Sequence, residues 1–186
     1  SPWSRGGWVH SEVADHTSVI RFLERRFGVM EPNISPWRRA VCSDLTTAFD
    51  FATPNDTDFT RLLPDTTDAR LRAAAIPHQP TPVLPADHSR PPQEPGERPV
   101  RPTRYRLQAT CDVNADRGEA TLTFSVQGEL AAVFHVYDRL HLDRIPRRYT
   151  VGAGESLTGV WALAPDGGRY DLWVLGPSGL VGHFVG

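Results

Sequence analysis

Lysine is absent from this chain, so all 20 basic residues are arginines, and they stand against 22 acidic residues in a formal charge of −2. Extended basic runs are also absent, because the arginines come in pairs such as Arg38 with Arg39 and Arg147 with Arg148. Nucleic-acid phosphates are bound by clustered cations, so this pattern argues against nucleic acid as a partner. The paired arginines are typical of a solvated surface.

Long apolar runs are missing as well. No stretch reaches the roughly 20 apolar residues that a membrane-spanning helix needs, and the first residues lack the pattern of a signal peptide. The chain begins at Ser1 without methionine and ends at Gly186 directly after an apolar stretch. We therefore expect the natural protein to continue beyond both ends, so the missing signal says little about location.

Cysteine is scarce. Cys42 and Cys111 lie far apart, and a disulfide between them would join the helical part to the β-rich part. Two buried free thiols are the simpler expectation, and the pairing stays open at this stage. Neither thiol has a second soft ligand at metal spacing, and residues 112–116, which are similar to the start of a calcium loop, lack the downstream glutamate.

What the chain does contain begins with an amphipathic helix over residues 15–28. Asp15 predicts an N-cap and Gly28 a left-handed C-terminal residue. The apolar stripe of this helix consists of Val19, Ile20, Leu23 and Phe27. Because a helix this short is marginal alone, we expect the stripe to cover a sheet that this chain does not contain.

More helices are predicted further along. Ser35 and Pro36 are typical of a helix start, and an apolar residue every fourth position extends the second helix through Trp37 and Val41 towards Phe49, either without a break or with a new start at residues 43–44. A short helix is predicted over residues 58–63 and another within residues 65–75. Nine prolines then occur in residues 77–102, which predicts an extended linker over 77–103, with a proline-rich ligand as the less favoured alternative.

From residue 104 onward the apolar period changes to two, which indicates β-strands. Seven short strands separated by turn residues predict an antiparallel, immunoglobulin-like sandwich over residues 104–186. The predicted strands cover residues 105–111, 120–126, 132–137, 148–151, 157–163, 170–175 and 180–185. The fold class is therefore α + β, with a helical segment over 1–76, the linker and the sandwich.

Few residues are candidates for chemistry. Arg5, His10 and His16, with the glycine pair at residues 6 and 7, have the chemistry of phosphate contacts, although turn and packing roles are favoured for them. In the sandwich, the titratable residues accompany no nucleophile motif; they are His135, His141, Asp143 and His183. Four rings are candidates for a cage around a choline-like cation or, by preference, for core packing: Tyr137, Trp161, Tyr170 and Trp173. No residue is assigned as catalytic, cofactor-binding or metal-binding.

Four motifs, in order, resemble the end of the catalytic domain in bacterial phosphocholine-specific phospholipases C of the haemolytic and non-haemolytic type. They are SPWSRGGWV at 1–9, DHTSVIRFLERRFGV at 15–29, NISPWRR at 33–39 and CSDLTTAFDF at 42–51. This family is related to the acid phosphatases of the alkaline-phosphatase superfamily. The resemblance covers residues 1–76 closely, and residues 104–186 resemble the β-rich C-terminal domain of those enzymes.

The resemblance implies release of phosphocholine from phosphatidylcholine or sphingomyelin, with a divalent metal in the complete enzyme, a phospholipid or membrane partner, and export or a cell-surface location. It also implies that the nucleophile and the metal ligands lie upstream of Ser1, in a missing catalytic core. We therefore expect this chain alone to be inactive. The alternative is a stand-alone β-sandwich binding module, with residues 1–76 as an unstructured remnant.

Overall fold

The computed structural model describes residues 1–4, 7–54, 63–78, 80–87, 89–92 and 94–186. Its helices are α1 (His16–Phe27), α2 (Pro36–Val41) and α3 (Ala69–Ala75). Within the described ranges, no helix combines the length and the apolar character needed to cross a bilayer.

The predicted first helix is confirmed, together with both of its ends. Asp15 accepts a hydrogen bond from the backbone amide of Thr17 at 2.8 Å, and the Ser18 hydroxyl accepts one from the Asp15 amide at 3.1 Å. Gly28 closes the helix with φ 70°, in the left-handed region that glycine adopts without strain. This helix is therefore specified locally by its two caps.

The predicted second helix is too long. It starts as expected, with Ser35 as N-cap and Pro36 in the first turn, but it ends at Val41. The Asp44 carboxylate accepts from the Thr46 amide at 3.2 Å and from the Thr46 hydroxyl at 2.6 Å. These local bonds compete with helix formation, and only a short 3₁₀ turn (Thr46–Ala48) follows.

The other helix predictions have different outcomes. The helix predicted within residues 65–75 is present as α3. The helix predicted over residues 58–63 lies outside the described residues, apart from Leu63. The predicted domain boundaries at 76 and 103 stay predictions.

The predicted sandwich is confirmed, with all seven strands. They are β1 (Leu107–Asn114), β2 (Glu119–Val126), β3 (Ala132–Asp138), β4 (Arg147–Val151), β5 (Ser156–Ala162), β6 (Asp171–Leu175) and β7 (Val181–Val185). One sheet has the order β1-β2-β5 and the other β4-β3-β6-β7, with every pair antiparallel.

The sandwich core lies between these sheets. Phe124 of β2 and Phe134 of β3 are fully buried, and their ring centroids are 5.1 Å apart. Tyr149 stacks on Phe124 at 4.7 Å and occupies the space in front of Gly159, where a Cβ atom would overlap its hydroxyl. A glycine is therefore required in β5 because a tyrosine from the opposite sheet approaches the backbone there.

The helical segment (residues 7–54) is attached to one end of this sandwich. The Ala131 amide at the start of β3 donates to the carbonyl of Ala40 at 3.0 Å, and the Val13 amide donates to the Tyr105 hydroxyl at 3.1 Å. Val100, at the end of the proline-rich stretch, forms a parallel bridge with Val9. Backbone hydrogen bonds therefore join all three predicted parts of the chain.

Candidate functional site

The junction between the helical segment and the sandwich contains a buried ion-pair network. The Glu12 side chain is fully buried and accepts from the Arg104 amide at 2.8 Å and from its guanidinium at 2.8 and 3.1 Å. Arg104 also lies 3.2 Å from the Asp44 carboxylate, and Arg25 of α1 lies 3.4 Å from the same group. One arginine thus holds two carboxylates of the helical segment at the edge of the sandwich.

The pKa values of these carboxyls follow from their surroundings. Burial alone raises the pKa of Glu12, but the hydrogen bonds from Arg104 and Thr47 outweigh it, so the pKa lies below its ordinary value. Burial also raises the pKa of Asp44, and there the bonds from Thr46 and the charge of Arg104 outweigh it. The charged form of both carboxyls is therefore favoured beside Arg104.

Sequence reasoning missed this network. Glu12 and Arg104 are 92 positions apart, and no local pattern distinguishes them from surface residues. Their pairing also contradicts the alternative in which residues 1–76 are an unstructured remnant, because the described part of that segment forms helices and buried bonds to the sandwich.

The two faces of α1 are arranged opposite to those of an ordinary surface helix. Its apolar stripe is exposed, with Val19 at 55%, Leu23 at 47% and Phe27 at 67%, whereas Ser18 is fully buried. On the inner side, the Arg21 guanidinium donates to the carbonyl of Cys42. The helix thus faces its own chain with Ser18, Arg21 and the ring of Phe22, which lies 5.1 Å from that of Phe49, and leaves its apolar stripe largely exposed.

An ion pair fixes α1 against α2. Arg39 donates to both carboxylate oxygens of Glu24, at 2.8 and 2.9 Å, and also to the carbonyl of Glu31. The bonds from Arg39, supported by the Glu31 amide, lower the pKa of Glu24 to about 2. A bidentate pair beside the exposed stripe therefore fixes the orientation of α1.

An apolar groove of about 630 Å³ lies where α2 meets the outer face of the four-stranded sheet. Trp37 of α2 forms one wall and donates from its indole nitrogen to the Thr150 hydroxyl at 3.2 Å. His135 and Tyr137 of β3 form the floor beside Arg148. Burial, with the nearby Arg148 charge, lowers the pKa of His135.

The candidate phosphate contacts near the start of the chain do not converge in the described structure. Arg5 and Gly6 lie outside the described residues. His10 lies 2.9 Å from the Thr47 hydroxyl and 3.6 Å from Glu12, at the ion-pair network, while His16 is exposed in the first turn of α1. The favoured packing interpretation fits His10, which contacts protein partners.

The candidate residues of the sandwich are spread over its surface. His135 lies in the groove, whereas His141 pairs with Asp166 at 2.6 Å and His183 pairs with Asp171 at 2.7 Å. Asp143 is exposed in the loop after β3. These pairs join neighbouring loops and strands of the sandwich.

The four candidate cage rings do not form a cage. Trp161 belongs to the core cluster, and Tyr170 packs against that cluster. Tyr137 and Trp173 are register partners on the outer face of β3 and β6. Arginine guanidinium groups already lie over two of the rings, Arg147 over Trp161 at 4.1 Å and Arg139 over Trp173 at 4.4 Å. The preferred interpretation, core packing, fits Trp161 and Tyr170, whereas Tyr137 and Trp173 lie outside the core.

The cysteines and acidic residues of the described ranges form no metal site. Cys42 is buried and Cys111 is half-buried, and both are free thiols. The described ranges contain no group of three or more histidine, cysteine or acidic residues able to hold a metal ion. The metal implied for the complete enzyme therefore has no matching donor set in the described part of this chain.

Two family models match the sequence. "Bacterial phospholipase C, C-terminal domain" matches residues 99–186, which include the whole sandwich. "Phosphoesterase family" matches residues 1–30, which include α1 and its exposed stripe.

Curated relatives match along the whole chain. The non-hemolytic phospholipase C of Pseudomonas aeruginosa is 50% identical over 186 residues, and that of Burkholderia pseudomallei is 40% identical over 195 residues. The hemolytic phospholipase C of P. aeruginosa is 42% identical over 216 residues. The chain spans 27% to 29% of the length of these relatives. This chain belongs to the bacterial phospholipase C family, and its sandwich is the C-terminal domain of that family.

Proposed function

We propose that this chain forms the C-terminal portion of a phospholipase C that hydrolyses phosphatidylcholine or sphingomyelin to phosphocholine and diacylglycerol or ceramide. In this proposal the helical segment completes a phosphoesterase core through the α1 stripe. The sandwich lies beside that core, held by the Glu12–Arg104 network. The enzyme acts outside the cytoplasm, where the phospholipid surface is its partner.

The exposed stripe of α1 carries this proposal. Leu23 and Phe27 are 47% and 67% exposed on a helix that is capped at both ends, so the apolar face is available to a partner surface. Residues 1–30, which contain this helix, are the part matched by the phosphoesterase family. The partner surface is therefore expected to belong to the phosphoesterase core.

The chain on its own is expected to be inactive. Hydrolysis of a phosphodiester needs an activated nucleophile and a group that stabilises the developing charge. The described residues offer no cluster of donors for a metal. Turnover of a soluble chromogenic phosphocholine ester by the purified chain, at the rate of a complete enzyme, would contradict this expectation.

A hybrid enzyme tests the proposal directly. This chain replaces the matching segment of the P. aeruginosa non-hemolytic enzyme, with which it shares 50% identity. We expect turnover of the soluble ester within about tenfold of the parent enzyme, because half of the residues are unchanged and the caps of α1 are intrinsic. A soluble, folded hybrid without turnover would overturn the proposal.

Substitutions in the hybrid show whether the stripe matters. Leu23→Ser combined with Phe27→Ser removes the apolar contact, so we expect a large loss of soluble, active enzyme. Leu142→Ser combined with Ile145→Ser is the matched control, because it removes two exposed apolar side chains from the sandwich. The control should keep its activity towards the soluble ester.

A further inference from the structure

The loop between β3 and β4 carries two strongly exposed apolar side chains. It spans residues 139–146, longer than the two to five residues usual for a hairpin. Leu142 is 67% exposed and Ile145 is 86% exposed, while Leu140 is 38% exposed. A hairpin connection of this length, with apolar residues at its tip, indicates a contact surface.

The loop is held in place by its polar residues. The His141 amide donates to the carbonyl of Asp138 at 3.1 Å, and the Arg144 amide donates to the carbonyl of His141 at 3.0 Å. The Leu140 amide donates to the Asp138 carboxylate at 3.2 Å, and the His141 ring lies 2.6 Å from the Asp166 carboxylate. Two consecutive turns thus keep Leu142 and Ile145 exposed without help from apolar packing.

Arginines surround these apolar side chains. Residues 139–148 contain four arginines and one aspartate, a formal charge of +3 with histidine neutral, in a chain whose total is −2. Arg139 and Arg144 pair with aspartates, at 3.2 and 3.3 Å. Arg147 donates to the Val160 carbonyl at 2.8 Å and lies over the Trp161 ring, and Arg148 lies beside His135 in the groove next to α2. The loop therefore combines two projecting apolar groups with Arg144, whose pair with Asp138 is exposed enough to be exchanged for a lipid phosphate.

The loop lies at the end of the sandwich opposite the helical segment. Ala131, which bonds to Ala40 of α2, precedes the first residue of β3, whereas the loop follows the last residue of that strand. A strand of seven residues is about 20 Å long. The loop is therefore free to contact another surface while α1 and α2 face a catalytic core.

We propose that Leu142 and Ile145 dock this protein on a phospholipid bilayer, with Arg144 of the same loop contacting a lipid phosphate. This inference rests on the proposed function, since it assigns the contact with the substrate membrane to one loop. Two apolar tips fit insertion between head groups, and arginine side chains keep their charge at the phosphate level. A stable protein–protein interface buries about 800 Å² of surface on each partner, far more than the side chains of Leu142 and Ile145 can supply.

Vesicle sedimentation with the 186-residue chain tests the proposal. The vesicles contain phosphatidylcholine alone or with about 30% phosphatidylglycerol. We expect the chain to bind, more strongly with the anionic lipid and less strongly at high salt. Leu142→Ser combined with Ile145→Ser should weaken the partition coefficient about 10- to 100-fold, because both side chains lose their burial in lipid. Both residues are exposed, so thermal unfolding should be unchanged.

The α1 stripe provides the matched control. Leu23→Ser combined with Phe27→Ser removes apolar surface of similar size from the other end of the molecule, and it should leave vesicle binding within about threefold of the parent chain. Loss of binding in this variant with retention in the loop variant would overturn the proposal, and so would a parent chain that binds neither kind of vesicle. Vesicle sedimentation tests the membrane contact without any catalytic turnover. The soluble-ester assay tests the proposed function without any bilayer, so failure of one proposal is distinguishable from failure of the other.

Discussion

The sandwich buries its apolar residues, whereas the helical segment exposes many of its own. Of the 17 buried hydrophobic residues in the described part of the chain, only Ile34, Val41 and Cys42 belong to the helical segment. Phe124 of the sandwich is fully buried, while Phe27 of α1 is 67% exposed. Both regions have clear apolar periodicity, so periodicity alone does not decide whether a face finds its partner within the same chain.

The two regions are consequently held together by different interactions. The sandwich has a continuous core between two sheets, in which the aromatic rings of Phe124, Phe134 and Tyr149 are packed. The described part of the helical segment depends on a small aromatic cluster around Phe49 and on ion pairs through Arg39 and Arg104. In the isolated chain, we expect the loss of surface charges to change the stability of the sandwich little. We expect substitutions along the apolar stripe to change the stability of the helical segment little.

The largest difference in stability is expected between two phenylalanine-to-alanine substitutions, one in each region. Phe124→Ala should lower the free energy of unfolding of the sandwich by about 3 to 5 kcal/mol, because it leaves a cavity between two sheets. Phe27→Ala should change it by about 0.5 kcal/mol or less, because its ring is largely exposed. Urea unfolding monitored by circular dichroism measures both. Equal losses would show that the stripe is already covered.

The next largest loss of stability is expected from a substitution in the ion-pair network. Arg104→Ala leaves Glu12 buried without its partner, and we expect a loss of about 2 to 4 kcal/mol, somewhat reduced because the Arg104 side chain keeps 20% exposure. Arg98→Ala, which removes an exposed pair with Glu94, is the control and should cost under about 1 kcal/mol. Proteolysis would report whether the helical segment separates from the sandwich.

Acid should weaken the helical segment before it weakens the core. The pKa values of Glu12 and Asp44 lie below their ordinary values of 4.5 and 3.8, so both groups stabilise the folded state above those values. This stability is lost as the pH falls through the folded pKa values. Unfolding measured between about pH 7 and about pH 3 should therefore show a loss that Glu12→Gln with Asp44→Asn reduces. A slope unaffected by both substitutions would contradict this assignment.

The smallest effect concerns the helix caps. Asp15→Ala should cost about 1 kcal/mol, because the α1 amides and Arg38 lose their acceptor. Asp68→Ala is the matched control, since Asp68 occupies the same position in α3 but its side chain makes no capping bond. Its cost should be a few tenths of a kcal/mol at most. Similar costs for both would show that the cap of α1 adds little.

Much of the sandwich could be predicted from the sequence because its strands alternate strictly. In β2, the buried positions run from Ala120 through Phe124 to Val126, in phase with the sheet. The first helix was also predictable, since Asp15 and Gly28 define its ends by local hydrogen bonds and backbone conformation. Membership of the phospholipase C family followed from motifs that retain their order along the chain.

Other features depend on distant residues and could not be predicted. The second helix stops at Val41 because Asp44 bonds to Thr46 and to Arg104, and the second partner lies 60 positions away. The exposed tip of the loop after β3 was not recognised either, because Leu142 and Ile145 look like ordinary apolar residues between two strands. Their exposure becomes visible only once the turns at Asp138 and His141 are in place.

The sequence by itself determined the elements whose interactions are local or periodic, namely the capped first helix, the seven alternating strands and the family motifs. Only the tertiary structure decided which apolar faces are covered, and that Glu12 and Arg104 join the two regions. The physical reason is that burial and ion pairing depend on residues brought together from distant positions, whereas caps and strand alternation depend on neighbours.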